Sequence, residues 1–281
     1  MKLVRWGLDG LEKPGILDEE GRIRDLSSVI PDINRLILSD SGLNALRRIH
    51  LSGLPKVSPE TRLGVPFAGT GKIIAIGLNY ADHAAEAGLK TPAEPIVFQK
   101  ATSSLCGPTD ALEIPRGSEK TDWEIELGVV IGKRAKYIVE ADALKHVAGY
   151  CTTNDISERH LQIERGGQWT KGKSHDTFCP VGPWLVTRDE VPDPQSLDLW
   201  CEIDGHRYQN GTTRHMIFGV AHIIAYLSQM MTLEPGDLIV TGTPAGVGMG
   251  IKPAPVFLKP GQILTCEVVG LGAQRHLTVS A

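Results

Sequence analysis

The stretch Trp123-Glu124-Ile125-Glu126-Leu127-Gly128-Val129-Val130-Ile131 decides the fold. It alternates as a β-strand does, with Glu124 and Glu126 on one face and Ile125, Leu127, Val129 and Ile131 on the other. Similar runs recur on both sides of it. KIIAIGLNY (72–80) and PIVFQK (95–100) precede it, and HVAGYCTTND (146–155), GPWLVT (182–187), LDLWCEID (197–204), DLIVTGTP (237–244) and QILTCEVVG (262–270) follow. Glycine, proline and aspartate separate most of these runs, so the pattern predicts a mixed β fold with few helices, a sandwich or roll rather than a doubly wound sheet. Three helices are expected: a short one over Asp82 to Ala87, a polar one over Ile156 to Arg165, and an amphipathic one over Met216 to Met231. The last carries Ile217, Val220, Ile224, Leu227 and Met231 at helical spacing.

The first fifty residues read as short strands around LVRWG (3–7) and GRIRDL (21–26) with a small helix over Gly42 to Ile49. Pro55, Pro59 and Pro66 with Gly53, Gly64, Gly69 and Gly71 then mark a boundary. The expected division is a small N-terminal α+β domain over 1–65 and a larger domain over 66–281.

Composition narrows the function. The 281 residues carry 29 Lys+Arg against 33 Asp+Glu, a net charge of −4 that disfavours nucleic acid as a partner. The five cysteines (Cys106, Cys151, Cys179, Cys201, Cys266) include no C-x-x-C pair, which argues for a reducing compartment and against a structural zinc. The N-terminal MKLVRWGLDG lacks the apolar run of a signal peptide, and the longest apolar stretch, Met216 to Leu227, is far short of the ~20 residues a membrane span needs. A cytoplasmic protein with no membrane partner is expected.

Gly167-Gln168-Trp169-Thr170-Lys171-Gly172-Lys173-Ser174 satisfies the phosphate-loop pattern letter for letter. That loop needs a buried strand before it and a helix after it. Here a polar segment precedes, and Pro180 and Pro183 follow, so nucleotide binding is the weaker reading and Lys173 calls for another role.

The carboxylates offer one. Glu124 and Glu126 side by side in so apolar a strand repel each other unless a cation lies between them, although a solvated edge strand is the plainer alternative. Asp155 closes another apolar run, and three hard oxygen donors favour Mg²⁺ or Mn²⁺ over zinc. Three carboxylates on a divalent ion leave one negative charge, so an anionic substrate would need Arg159 and Lys173 nearby, with Gln162 on the helical face of Arg159. Each basic residue could equally be an ordinary surface charge. His83 and Glu86, three apart, have the spacing of a general base held by a carboxylate, a spacing that surface pairs share.

GLNYADHAAE (77–86), DWEIELGVVIG (122–132), GYCTTNDISERHLQ (149–162), WTKGKSHDTFCPVGPW (169–184), the 216–248 stretch and GQILTCEVVG (261–270) together resemble the fumarylacetoacetate hydrolase family. The similarity runs from about residue 70 to the end, in the family's order. The leading segment resembles the N-terminal region of the family's sugar-acid branch. The resemblance implies a β-roll, usually homodimeric, with Mg²⁺ or Mn²⁺ on Glu124, Glu126 and Asp155. It implies a water-activating His83–Glu86 pair on a lid, and Arg159, Gln162, Lys173 and Thr243 around a small anionic 2-oxo acid. The expected reaction is hydrolysis of a C–C bond in a 2,4-dioxo acid, with Lys173 and the metal stabilising the departing pyruvate enolate. The expected substrate is 2,4-dioxo-3-deoxy-L-rhamnonate or L-fuconate, giving pyruvate and lactate. Oxaloacetate decarboxylation or tautomerisation and acylpyruvate hydrolysis use the same motifs and remain open. So does a non-catalytic binding module.

Overall fold

The computed structural model describes all of residues 1–281 except Ala87 and Leu89. Two sheets dominate. The larger has nine strands in the order Ile23–Asp25, Lys13–Leu17, Lys2–Trp6, Leu185–Thr187, Val147–Asn154, Ile125–Ile131, Leu238–Val240, Ile73–Gly77 and Ile96–Lys100. All neighbours are antiparallel except Leu238–Val240 beside Ile73–Gly77, which run parallel. The smaller sheet has five strands, in the order His206–Thr212, Asp198–Ile203, Ile263–Val268, Gly272–Ser280 and Leu112–Ile114. The molecule is mixed β with few helices, as the strand runs predict.

Ile125–Ile131 is a central strand, buried on both faces, not a solvated edge. Its alternation sorts the side chains into two cores. Ile125, Leu127, Val129 and Ile131 pack with Leu199, Cys201, Leu264 and Val268 of the small sheet and with Val220, Ile223, Ile224 and Leu227 of a helix. Val130 faces the other way, into a cluster with Leu3, Ile16, Leu26, Leu43 and Leu46. Each fully buried aliphatic side chain is worth about 1.5–3 kcal/mol, so both faces of the sheet have to be covered. The N-terminal strands extend the same sheet, with Leu3 paired to Leu185, and Leu26, Leu43 and Leu46 beyond them join the second cluster. Gly128 allows close pairing in the centre: a Cβ there would lie 2.5 Å from the Thr153 methyl and 2.8 Å from Cys151 Sγ.

The expected helices shift. Helix Val220–Met230 starts four residues later than Met216, because Met216 bridges Tyr80 and Gly219 is extended at its cap. The polar segment 156–165 is not one helix. Ser157–Glu158 pairs as a strand with Thr121–Asp122, and only His160–Glu164 coils, as a π-helical turn. The helix expected over 82–87 spans Ala81–Glu86, and its expected last residue, Ala87, lies outside the described residues. The N-terminal helix is Asp40–Leu46, capped by the Ser39 hydroxyl, rather than 42–49. Among the described residues no helix is long and apolar enough to cross a membrane.

Candidate active site

The site lies where several elements of the large sheet meet. Strand Ile125–Ile131 begins there, Val147–Asn154 ends there at Asp155, and Leu238–Val240 ends there at Thr241–Thr243. Ile73–Gly77 also ends there and feeds the turn that leads to His83. The Asp155 amide donates to the Glu124 carbonyl at 2.8 Å, which fixes the two acidic residues side by side.

Glu124, Glu126 and Asp155 are buried, and a carboxylate oxygen of each lies within 4.8 Å of the others. Lys173 Nζ donates to Glu124 Oε2 and to Asp155 Oδ2, both at 2.6 Å. Arg159 Nη2 lies 2.7 Å from Glu124 Oε1 and 2.8 Å from Asp122 Oδ2, and its Nη1 donates to Gln162 Oε1 at 3.0 Å. Thr243 Oγ1 donates to the Ile125 carbonyl at 2.7 Å and lines the same cavity. His83 Nδ1 lies 3.2 Å from Glu86 Oε2, so the two residues pair on their short helix. Seven of the nine candidate residues singled out by sequence therefore line one cavity, and an eighth, Asp155, holds Lys173 in it. The ninth, Glu86, stands behind His83, its Oε1 accepting from the Gly246 amide at 2.9 Å.

Electrostatics distinguish the three acids. Burial alone would raise the Glu124 carboxyl, but Lys173 and Arg159 hold it well below the usual carboxylate range. Burial opposes the charge on Lys173 as well, yet Asp155 and Glu124 keep its pKa raised, so the amine stays an ammonium. Glu126 has no such partner: it accepts from the Gly242 amide at 2.7 Å, and burial with the charges of Asp155 and Glu124 pushes its pKa well up. An acid of this kind, one of three hard oxygen donors converging on a point, has the chemistry of a ligand to a divalent cation.

Other members of the site carried no distinguishing signal. Lys100, at the end of a strand and buried, donates to Asp155 Oδ1 at 2.5 Å and to the Ile156 carbonyl at 3.2 Å. Asp122, 0% exposed, accepts from Arg159 Nε at 2.8 Å and from the amides of Gly248 and Met249 at 2.6 and 3.0 Å. It thus ties the 246–250 loop, on which Glu86 rests, to the arginine. A terminal lysine on an apolar run and an aspartate before a tryptophan look ordinary in sequence. The cavity is completed by Ile76, Leu78, Phe98, Ile163, Trp169 and Met249.

The 167–174 loop does not have the surroundings of a phosphate site. One helical turn, Thr170–Lys173, lies within it, the next element is the strand Cys179–Pro180 and not a helix, and Lys173 is held by two carboxylates. Gly172 has a packing reason of its own: a Cβ there would lie 2.4 Å from the Glu158 carbonyl oxygen.

A family model described as fumarylacetoacetate hydrolase C-terminal matches residues 72–279. A Burkholderia multivorans protein named as a hydrolase is 65% identical over 281 residues, the whole of both chains. Among solved structures, maleylpyruvate hydrolase from Sphingobium sp. SYK-6, in complex with manganese(II) and pyruvate, superposes with a TM-score of 0.82 at 31% identity, covering 100% of each chain. The 5-carboxymethyl-2-hydroxymuconate delta-isomerase from Mycobacterium smegmatis gives 0.77 at 30% identity, covering 100% of this chain and 99% of that one. A match over most of the chain, with relatives aligned end to end, makes this protein an enzyme of the fumarylacetoacetate hydrolase family, a family whose members include both hydrolases and isomerases.

Proposed function

We propose that the protein hydrolyses a carbon–carbon bond in a 2,4-dioxo acid and releases pyruvate. One observation carries the reading: a buried three-carboxylate cluster, flanked by Lys173 and Arg159, presents Glu124 and Glu126 to a cavity that His83 also lines. The three acids fit a divalent cation, Mg²⁺ or Mn²⁺, which when bound supplies a Lewis acid for the substrate's carboxylate and 2-oxo oxygens.

The chain's own groups do the rest. Arg159 and Gln162 orient the substrate carboxylate. Nδ1 of His83 is engaged by Glu86, so Nε2 takes the proton from water. The hydroxide adds to C4, the C3–C4 bond breaks, and its electron pair moves to C3 as the pyruvate enolate. The acyl half leaves as a carboxylic acid, and the enolate takes a proton at C3. Lys173, kept charged by Asp155 and Glu124, offers its ammonium to the negative charge that develops, acting as a donor and not a base. Thr243 is anchored to the Ile125 carbonyl and to Gln209 Nε2, and so presents a fixed edge of the site.

Within this class, 2,4-dioxo-3-deoxy-L-rhamnonate or L-fuconate, giving pyruvate and lactate, is the substrate that the likeness to the sugar-acid branch favours. Other acylpyruvates and oxaloacetate are the alternatives. We further expect a homodimer, which light scattering would test. The deciding experiment follows pyruvate release from these compounds with Mg²⁺ or Mn²⁺ added, and again after chelation. Release from a 2,4-dioxo acid that stops on chelation is the expected result. No release from any of them, or release that ignores chelation, would sink the reading.

A further inference from the structure

The lining of the cavity is of two unlike kinds. One is the charged floor of Glu124, Glu126, Arg159, Gln162 and Lys173; the other is a wall of Leu78, Phe98, Ile163, Trp169 and Met249. We infer that this site selects substrates whose acyl end is uncharged, and that Trp169, backed by Phe98, is the residue that rejects a second carboxylate. The inference rests on the proposed function and names the substrate class within it.

Three observations carry it. First, among the described residues lining the cavity the lysines and arginines are Arg159 and Lys173, and both are already paired with buried carboxylates at 2.6 to 2.8 Å. Lys100 is turned to Asp155 and the Ile156 carbonyl, with no side-chain exposure. Second, three ion-paired carboxylates (Asp122, Glu124, Asp155) and Glu126 beside them stand with three cations (Lys100, Arg159, Lys173) in one charged group. A divalent ion would leave it with one positive charge, enough for one substrate carboxylate, and Glu86 behind His83 adds negative charge, not positive. A second carboxylate laid on the wall would lose its water and gain no counter-charge.

Third, the wall is built to lie flat against carbon. Trp169 meets Phe98 edge-on, with ring centroids 5.2 Å apart at 67°. Gly77 makes room for the indole, since a Cβ there would lie 2.3 Å from Trp169 Cζ3. Trp169 also precedes Lys173 by one helical turn, so the two project from the same side of that turn. The residue touching the acyl end is thereby held in register with the one facing the oxo-acid end.

The test compares isosteres. With Mn²⁺ present, calorimetry measures binding of 5-methyl-2-oxohexanoate against 2-oxoglutarate, which differ only in an isopropyl group for a carboxylate. Turnover of 4-methylpentanoylpyruvate against succinylpyruvate makes the same comparison in a cleavable substrate. We expect at least a hundredfold preference for the neutral member of each pair. Trp169→Arg should shrink that preference at least tenfold, and Trp169→Leu, which keeps the wall apolar, should retain it. Equal or tighter binding of 2-oxoglutarate, or a preference untouched by Trp169→Arg in a folded variant, overturns the inference. If no dioxo acid is cleaved but the neutral oxo acid still binds better, the proposed reaction fails and the selectivity stands.

Discussion

The floor and the wall of the cavity are held in place by opposite means. Most charges on and behind the floor answer to several partners: Lys173 to two carboxylates, Arg159 to Asp122, Glu124 and Gln162, and Asp122 to an arginine and three backbone amides. The wall is held by ring contacts and backbone clearance, as at Trp169 against Phe98 and Gly77, and Ile163 at its margin is 47% exposed. A change on the floor therefore strands a buried charge, whereas a change on the wall only alters a shape. The chemistry of the site is hard to alter one residue at a time, and its preference for an acyl group is not.

The largest effect that would sharpen this contrast is expected from Glu126→Gln. It keeps the volume and removes the acid that no cation neutralises, and a metal ligand is worth several kcal/mol in catalysis. We expect Mn²⁺ binding by calorimetry to weaken below detection and kcat/KM to fall by at least about a thousandfold; unchanged Mn²⁺ affinity would remove Glu126 from the metal site. His83→Ala should lower kcat by about 10² to 10⁴-fold while leaving Mn²⁺ affinity alone. If kcat drops less than tenfold, the base lies elsewhere.

Asp122→Asn comes next. It weakens the anchor of Arg159 and of the 246–250 loop without touching substrate, so it should cost about 1.5–3 kcal/mol in denaturant unfolding and raise KM more than it lowers kcat. A kcat loss with KM unchanged would mean that the arginine does not need this anchor. The smallest effect belongs to the wall: Trp169→Leu should change stability by no more than about 1 kcal/mol, read from the same unfolding curves. A loss as large as that of Asp122→Asn would erase the distinction between the two surfaces.

Much of the floor was legible because acids stand out against apolar runs. Glu124, Glu126 and Asp155 each sit where a buried strand begins or ends, and a carboxylate there needs a reason. Lys100 ends such a run too, but a terminal lysine is also how an ordinary strand meets water, so nothing in PIVFQK separates the two. The wall was illegible for a deeper reason. Tryptophan, phenylalanine, isoleucine and methionine are what cores are made of, and only the third dimension shows which of them face a cavity. The strands were readable from alternation and glycine punctuation. The segment 156–165 was not, because its helical spacing gave way to pairing between Ser157–Glu158 and Thr121–Asp122, a partnership across distant residues that local sequence does not encode.

Strand Leu238–Val240 lies between Ile125–Ile131 and Ile73–Gly77, so the sheet that carries the site has one of its interior strands supplied late in the chain. A ribosome delivers the flanking strands more than a hundred residues before the one that joins them. Until residue 240 emerges, the nascent chain holds two partial sheets with open edges, and His83 has no fixed relation to the carboxylates. Such a topology folds slowly and exposes unpaired strand edges while it waits. Synthesis halted near residue 235 should thus yield a chaperone client with no metal affinity, however complete its list of acidic ligands.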